Sequence, residues 1–333
     1  MWAVPGDTDK ALSRDGSTMA SSTGVVLAAL IANGAIAIMK FVGFLLTGSP
    51  SMLSETYHSI SDTGNQVFLL IGIRYSKKKS SREHPFGYGK AQFFYAFLVS
   101  VLLFGIAGWE SLNHGIHAIQ TAGHVEAGKF TVPVVGARVE TFWLNVTVLS
   151  GAIVFEAWAL AKANAELQRQ MKEFGWGSIR EAFDKTSDVT TLTAFTEDTI
   201  ALAGAAIALV GVVLSRYTGN GIYDAISAAI IGLLLMGFAL ALAWENKRLL
   251  LGESLPADVE RELQSIVTDH PAVVHVDSFR TVFFGPQNAM VAVEVSVDPD
   301  LVTEGVDDAI HEIEAELQDA DSRVSTIYVE PKL

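Results

Sequence analysis

Cysteine is absent from all 333 residues. That excludes disulfides, thiolate metal sites and cysteine nucleophiles together, and leaves His, Asp and Glu as the strong ligands. An excess of basic residues is lacking too: 23 Lys and Arg against 37 Asp and Glu give a formal charge of −14. Nucleic acid is therefore excluded as a partner, because its phosphates require a basic footprint. The chain has no His-Glu-x-x-His motif and no convincing nucleophile pair, so a hydrolase, or any enzyme, is not expected. Charge of either sign is scarce over long stretches. Half of the residues are apolar and the mean hydropathy is positive, the composition of an integral membrane protein with room for a soluble domain.

The negative charge sits at one end. Residues 253–333 hold 18 acids and 4 bases, whereas residues 1–252 hold 19 of each. Before that acidic unit, apolar runs of spanning length recur at about 23–46, 52–75, 92–119, 142–163, 189–214 and 222–244, each near the ~20 residues a bilayer requires. Six transmembrane helices are expected. Residues 1–22 are polar with no continuous apolar core, and read as a flexible cytoplasmic tail rather than a signal peptide. The fourth span runs on into a polar helical stretch that stops near Gly175-Trp176-Gly177. With the N-terminus inside, the inner loops collect Arg74, Lys77, Lys78, Lys79 and Arg82, then Lys162, Arg169, Lys172, Arg180 and Lys185, then Lys247 and Arg248. The outer loops hold only Lys129, Arg138 and Arg216. The positive-inside rule places both termini in the cytoplasm.

From Glu253 the pattern alternates helix, strand, strand, helix, strand. That order describes a small α+β, ferredoxin-like unit. The expected fold is a polytopic α-helical membrane protein of six spans with a C-terminal ferredoxin-like cytoplasmic domain. The expected division is a tail over 1–22, a transport domain over 23–250 and a dimerisation or regulatory domain over 251–333.

Two polar constellations interrupt the apolar spans. The second span carries Glu55, His58, Asp62 and Asn65. His58 and Asp62 stand four apart, on one face of a helix. A carboxylate at mid-membrane costs roughly 2.5–3.5 kcal/mol on insertion scales and normally faces a bundle interior or water path. A His nitrogen and a carboxylate oxygen on one face make half of a tetrahedral site for Zn²⁺ or a similar ion; the competing reading is a pair of helix–helix hydrogen-bonding groups. The fifth span carries Glu197 and Asp198, which point about 100° apart, so at most one shares a face with any given partner. The alternative to metal binding is that one of them pairs with Lys40 of the first span or with a neighbouring helix. Asp224 reads as an interfacial helix cap, Ser51 or Ser54 as the cap of the second span, and Glu110, Glu156 and His114 as helix-packing groups or helix-end polar residues.

With LSETYHSISDTGNQ on the second span, HPFGYGKAQ after it, DAISAAIIGLLL on the sixth and an acidic tail, the chain resembles the cation diffusion facilitators, a family of proton-coupled divalent-metal antiporters. It is most similar to the branch of the ninth zinc transporter. The resemblance covers roughly residues 23–333. It implies a metal site of His58, Asp62 and Asp198. The family's helix-five His falls at Ala194, which cannot bind metal, and Glu197 is the candidate substitute. One His with three carboxylates is a hard ligand set, open to Mn²⁺, Fe²⁺ or Co²⁺ beside Zn²⁺. The resemblance further implies protons and membrane lipid as partners, no cofactor beyond the transported ion, a homodimer, and an inner or plasma membrane of bacterial type. Loss of a ligand at Ala194 leaves a non-transporting metal sensor or scaffold as the rival. At the family's second metal site stand Ser81, His84 and Tyr88, so no strong site is expected there, and His84 is read as ordering its turn. The tail's metal positions read Asp277, Glu294, Tyr328 and Glu330, which favours a metal-free dimerisation module over a weak acidic site. Lys90 is matched to the family's basic residue that pairs with an acid near the end of span six, here Glu253.

Overall fold

A computed structural model describes residues 30–31, 33–121, 129–131, 138–173, 175–179, 181–182, 189–286 and 288–332. The expected tail over 1–22 lies outside them. In chain order the elements are α1 (Asn33–Thr47), α2 (Pro50–Ser76), α3 (Ala91–Thr121), β1 (Lys129–Thr131), β2 (Arg138–Glu140), α4 (Thr141–Glu173), α5 (Val189–Thr218), α6 (Ile222–Leu251), α7 (Ala257–Asp269), β3 (Val273–Gly285), β4 (Asn288–Val297), α8 (Thr303–Ala320) and β5 (Val324–Lys332). Among the described residues four helices, α3 to α6, are long and apolar enough to cross a membrane. The helix α1 is apolar but shorter, and α2 has the length but carries the polar load of Glu55, His58, Asp62 and Asn65. The stretch between the third and fourth spans holds the short antiparallel pair β1–β2, with Lys129 opposite Glu140.

The turn between α1 and α2 follows from its residues. Gly48 takes φ +66° and returns its N–H to the Phe44 carbonyl at 2.7 Å, the left-handed stop that glycine adopts without strain. Pro50 then occupies the first helical position, where its missing N–H costs nothing. The cap is Ser49, whose Oγ accepts from the Met52 N–H at 3.3 Å, not Ser51 or Ser54. Ser51 is engaged elsewhere: its hydroxyl and N–H both donate to Asp224 at the start of α6. Asp224 also accepts from Ser49 Oγ at 2.7 Å, so it ties α6 to this turn instead of capping its own helix. The end of α4 matches its expected place: Gly175 takes φ +69° and the Trp176 N–H closes on the Met171 carbonyl at 2.9 Å.

The chain forms two compact units. The first comprises the described residues up to Val67 together with those of Val101–Ala239. Its core gathers Met52 of α2, Leu103 and Ala107 of α3, Leu149 of α4, Ala208 and Val212 of α5, and Ile231 and Leu235 of α6. Small residues let these helices approach closely, which is how helices associate where no water is displaced. A β-carbon added at Gly232 would stand 2.5 Å from the Leu112 nitrogen, and one at Gly115 would stand 2.5 Å from the Ala229 nitrogen. Within α3, Leu103–Gly108 forms a π-helical segment.

The second unit comprises Phe68–Ser100 and Leu240–Leu333. Its three-stranded sheet has the order β3-β4-β5, with β3 antiparallel and β5 parallel to the central β4. Burial alternates strictly along β4, so Ala289, Val291, Val293, Val295 and Val297 point into a core shared with Leu263 and Val267 of α7 and Ile313 and Leu317 of α8. The helix–strand–strand–helix–strand order read from the sequence is the one observed.

The contact between α3 and α6 yields a test confined to one helix. Gly232→Ala drives a methyl into backbone and lowers stability by about 1–3 kcal/mol, whereas Gly237→Ala, with nothing within 4 Å of the new carbon, leaves it unchanged or slightly raised. Thermal unfolding of the two variants in detergent measures the difference; equal transitions would contradict this packing.

Candidate metal centre

The polar face of α2 recurs at helical spacing, and the first unit presents it to α5. His58 is buried, 1% exposed, and its Nε2 stands 3.4 Å from Asp62 Oδ2. The approach is close enough for an ion pair but is not aligned as a hydrogen bond: both ring nitrogens lack a hydrogen-bond partner among the described residues. One turn further, Asn65 Nδ2 donates to Glu197 Oε2 at 3.4 Å, and the Asp62 and Glu197 carboxyl groups lie within hydrogen-bond reach of each other. Two carboxyl groups side by side need a proton or a cation between them.

Of the adjacent acids on α5, it is therefore Glu197 that meets α2. Asp198 is half-buried and makes no hydrogen bond or ion pair with another described residue. The pair points about 100° apart, and the helix rotation that suits one withdraws the other. No three His, Asp or Glu side chains among the described residues converge tightly enough to chelate an ion as they stand. The structure thus brings together His58, Asp62 and Glu197, and leaves Asp198 beside them.

Two neighbours adjoin this face in ways the sequence reading did not state. Lys40 does not pair with Glu197 or Asp198; its Nζ donates to Glu55 Oε2 at 2.8 Å, with both side chains fully buried. Glu156 of α4, read as a packing group, is 8% exposed and lies within electrostatic range of Lys40, His58 and Asp62. The available signal was an acid in the middle of an apolar span.

The subsidiary positions lie in the second unit. His84 stacks on Tyr88 at 4.3 Å between ring centroids, its N–H donates to Ser81 Oγ at 3.2 Å, and its carbonyl accepts from Ser81 and Gly87. It orders the turn, as expected. Lys90 does not reach Glu253: its Nζ donates to the Leu250 carbonyl at 3.4 Å, and Glu253 pairs with Arg248. In the tail, Asp277 accepts from Ser296 Oγ at 2.8 Å and Glu294 from Lys332 Nζ at 2.6 Å. Glu294 stands opposite Glu330 in the β4–β5 ladder, and Tyr328 is exposed.

The α2–α5 contact can be checked without reference to metal, because the chain has no cysteine of its own. Asn65→Cys/Glu197→Cys should join through a short bifunctional thiol reagent, as read by mass spectrometry of the digest, while Asn65→Cys paired with the outward-facing Val210→Cys should not. Equal yields would contradict the contact.

Residues 26–251 match the cation efflux transmembrane domain and residues 255–332 the cytoplasmic domain of cation efflux proteins. Among curated relatives, the human mitochondrial proton-coupled zinc antiporter SLC30A9 is 28% identical over 88% of this chain and 49% of its own length. Metal tolerance protein C4 of Arabidopsis thaliana is 24% identical over 84% of this chain and 58% of its own. The cation-efflux pump FieF of Cronobacter sakazakii is 28% identical over 78% of this chain and 76% of its own. The chain spans about half the length of the first of these relatives. With a buried His–carboxylate face inside an apolar helical unit and a match covering both parts of the chain, this protein belongs to the cation efflux family of membrane transporters.

Proposed function

We propose that this chain exports a divalent metal cation, Zn²⁺ foremost, from the cytoplasm in exchange for protons, by alternating access to a site between α2 and α5. The observation that carries the reading is the meeting of Asp62 and Asn65 with Glu197 inside an apolar unit, with His58 beside Asp62. Groups of that kind are costly there unless they serve a path or a partner. In this reading His58, Asp62, Glu197 and Asp198 are the ligands. Glu197 takes the place that Ala194 vacates, and Asp198 joins when a bound ion draws the helices together. Such a set, with one nitrogen and three carboxylates, also admits Mn²⁺, Fe²⁺ or Co²⁺.

Ligands must be deprotonated to hold metal, so binding from one side releases protons, and protons arriving from the other side return to the same atoms and expel the ion. Histidine suits the exchange because its ordinary pKa, ~6.5, lies near ambient pH. The remaining architecture follows the same reading. The helices α1 and α2 complete six spans, both termini are cytoplasmic, and the protein resides in an inner or plasma membrane. The parts divide as a tail over 1–22, a transport domain over 23–250 and a ferredoxin-like dimerisation module over 251–333. The name of the human relative, a proton-coupled zinc antiporter, supports the choice of ion and counter-ion. The departure at Ala194 favours one rival, a membrane metal sensor or scaffold that binds without transporting.

Metal flux into proteoliposomes under a pH gradient, with Zn²⁺, Mn²⁺, Co²⁺ and Fe²⁺ compared, tests the proposal. Asp62→Ala and Glu197→Ala should remove flux by more than the about 10–100-fold that losing an outer-shell partner costs, with the fold retained; Asp198→Ala should weaken it. Full flux by Asp62→Ala would overturn the site. Metal binding by the folded wild type without flux of any ion would establish the sensor.

A further inference from the structure

Glu55 stands three residues before His58 on α2, on the side away from Asp62, and it is fully buried. One of its oxygens, Oε2, holds Lys40. The other, Oε1, is equally buried and accepts no hydrogen bond among the described residues. A buried acceptor without a partner is costly, and this one is given room by a particular residue. Gly204 of α5 faces it, and a β-carbon there would lie 2.6 Å from Oε1. Gly204 is seven residues beyond Glu197, two helical turns along the same face. The α5 face that offers Glu197 to Asp62 and Asn65 therefore offers a gap to Glu55. One seam between α2 and α5 carries Glu55, His58 and Asp62 in succession. Lys40 stands at its end, and its positive charge is felt by His58, Asp62 and Glu156.

We propose that Glu55 is a further ligand on the metal path, and that Lys40 is a tethered cation which occupies Glu55 until a divalent ion displaces it. The proposal rests on the transport reading above and extends it. A carboxylate with one oxygen engaged and the other free can exchange a monovalent ammonium for a divalent ion without changing its own position. The ammonium, on a flexible four-carbon stem, moves aside, and Glu156 is the neighbouring carboxylate within its electrostatic range. When the metal leaves, Lys40 returns and opposes its rebinding, because a fixed positive charge repels a divalent ion through the poorly screened interior. The pair thereby makes release as strongly built into the site as binding.

The test uses the full chain in lipid nanodiscs with Co²⁺ as the probe, reading affinity by titration and coordination from the d–d absorption bands, alongside efflux from proteoliposomes. Lys40→Met should tighten Co²⁺ binding by at least about tenfold, since a unit charge several ångströms from a divalent ion is worth that much even at an effective dielectric of ~20. It should also change the d–d spectrum as a carboxylate oxygen joins, and slow turnover. Adding Glu55→Gln should reverse all three. An unchanged affinity and spectrum in Lys40→Met, or changes that persist in Lys40→Met/Glu55→Gln, would overturn the proposal: the pair would then be a helix-packing bridge and no more. Should Lys40→Met fail to fold, Gly204→Ala decides. It displaces Oε1 without altering any charge and should slow efflux with Lys40 intact; wild-type efflux would overturn the proposal. Asp62→Ala runs beside these variants. If it binds Co²⁺ as the wild type does, the transport site itself is misplaced; if it loses Co²⁺ while Lys40→Met behaves as wild type, only the role of Glu55 falls.

Discussion

A carboxylate carried into an apolar helical layer must find its counter-charge within the protein, and much of the first unit is arranged around that requirement. Glu55 takes Lys40, Asp224 takes the hydroxyls of Ser49 and Ser51 and a backbone N–H, and Asp62 takes His58 and the carboxyl group of Glu197. Only the last of these arrangements leaves like groups together. Asp224 is satisfied by the chain alone and serves as a permanent fixing; Glu55 keeps one buried oxygen without a partner among the described residues, and the carboxyl groups of Asp62 and Glu197 need a proton or a cation between them. The difference between structural and functional polarity in this unit is thus a difference in what remains unbalanced.

The same contrast separates the two halves of the chain. The second unit uses its acids at the surface, where each is either solvated or tied to a neighbour such as Lys332 or Ser296. Its stability comes from the alternate residues of β4, buried against α7 and α8. The first unit buries several of its charges, Lys40, Glu55, Glu156 and Asp224 among them, between apolar helices. A net charge quoted for the whole chain describes neither half.

Features that depend on nearby residues were legible in the sequence. The four-residue spacing of His58 and Asp62, the stop at Gly175, and the period-two pattern of β4 are local, and each appears where the spacing puts it. Features that depend on a contact across helices were not. Nothing in the sequence states that Lys40 meets Glu55 rather than an acid of α5, since their separation of 15 residues is bridged by a turn whose geometry sets the meeting. Helical geometry shows that Glu197 and Asp198 cannot both face α2, but the choice rests on the rotation of α5, which packing decides. Lys90 illustrates a different limit: the resemblance assigned it an acid, and the nearer acceptor in this chain is a backbone carbonyl. Ser49 lost out as a predicted cap because Ser51 and Ser54 sit closer to the helical pattern, whereas Pro50 fixes the first helical position one residue earlier.

The π-helical segment of α3 has a consequence of its own. Over Leu103–Gly108 the backbone holds one residue more than a regular helix would use for the same rise. Wound as a regular α-helix with the same number of residues, the segment would turn everything beyond it by about 100°. Gly115, which must face α6 for the two backbones to approach, would then point elsewhere. The meeting of α3 with α6 is therefore encoded not only by the glycines that permit it but by the length of chain that aims them. A one-residue insertion between this wide turn and Gly115, which composition alone would count as silent, would swing Gly115 away from α6.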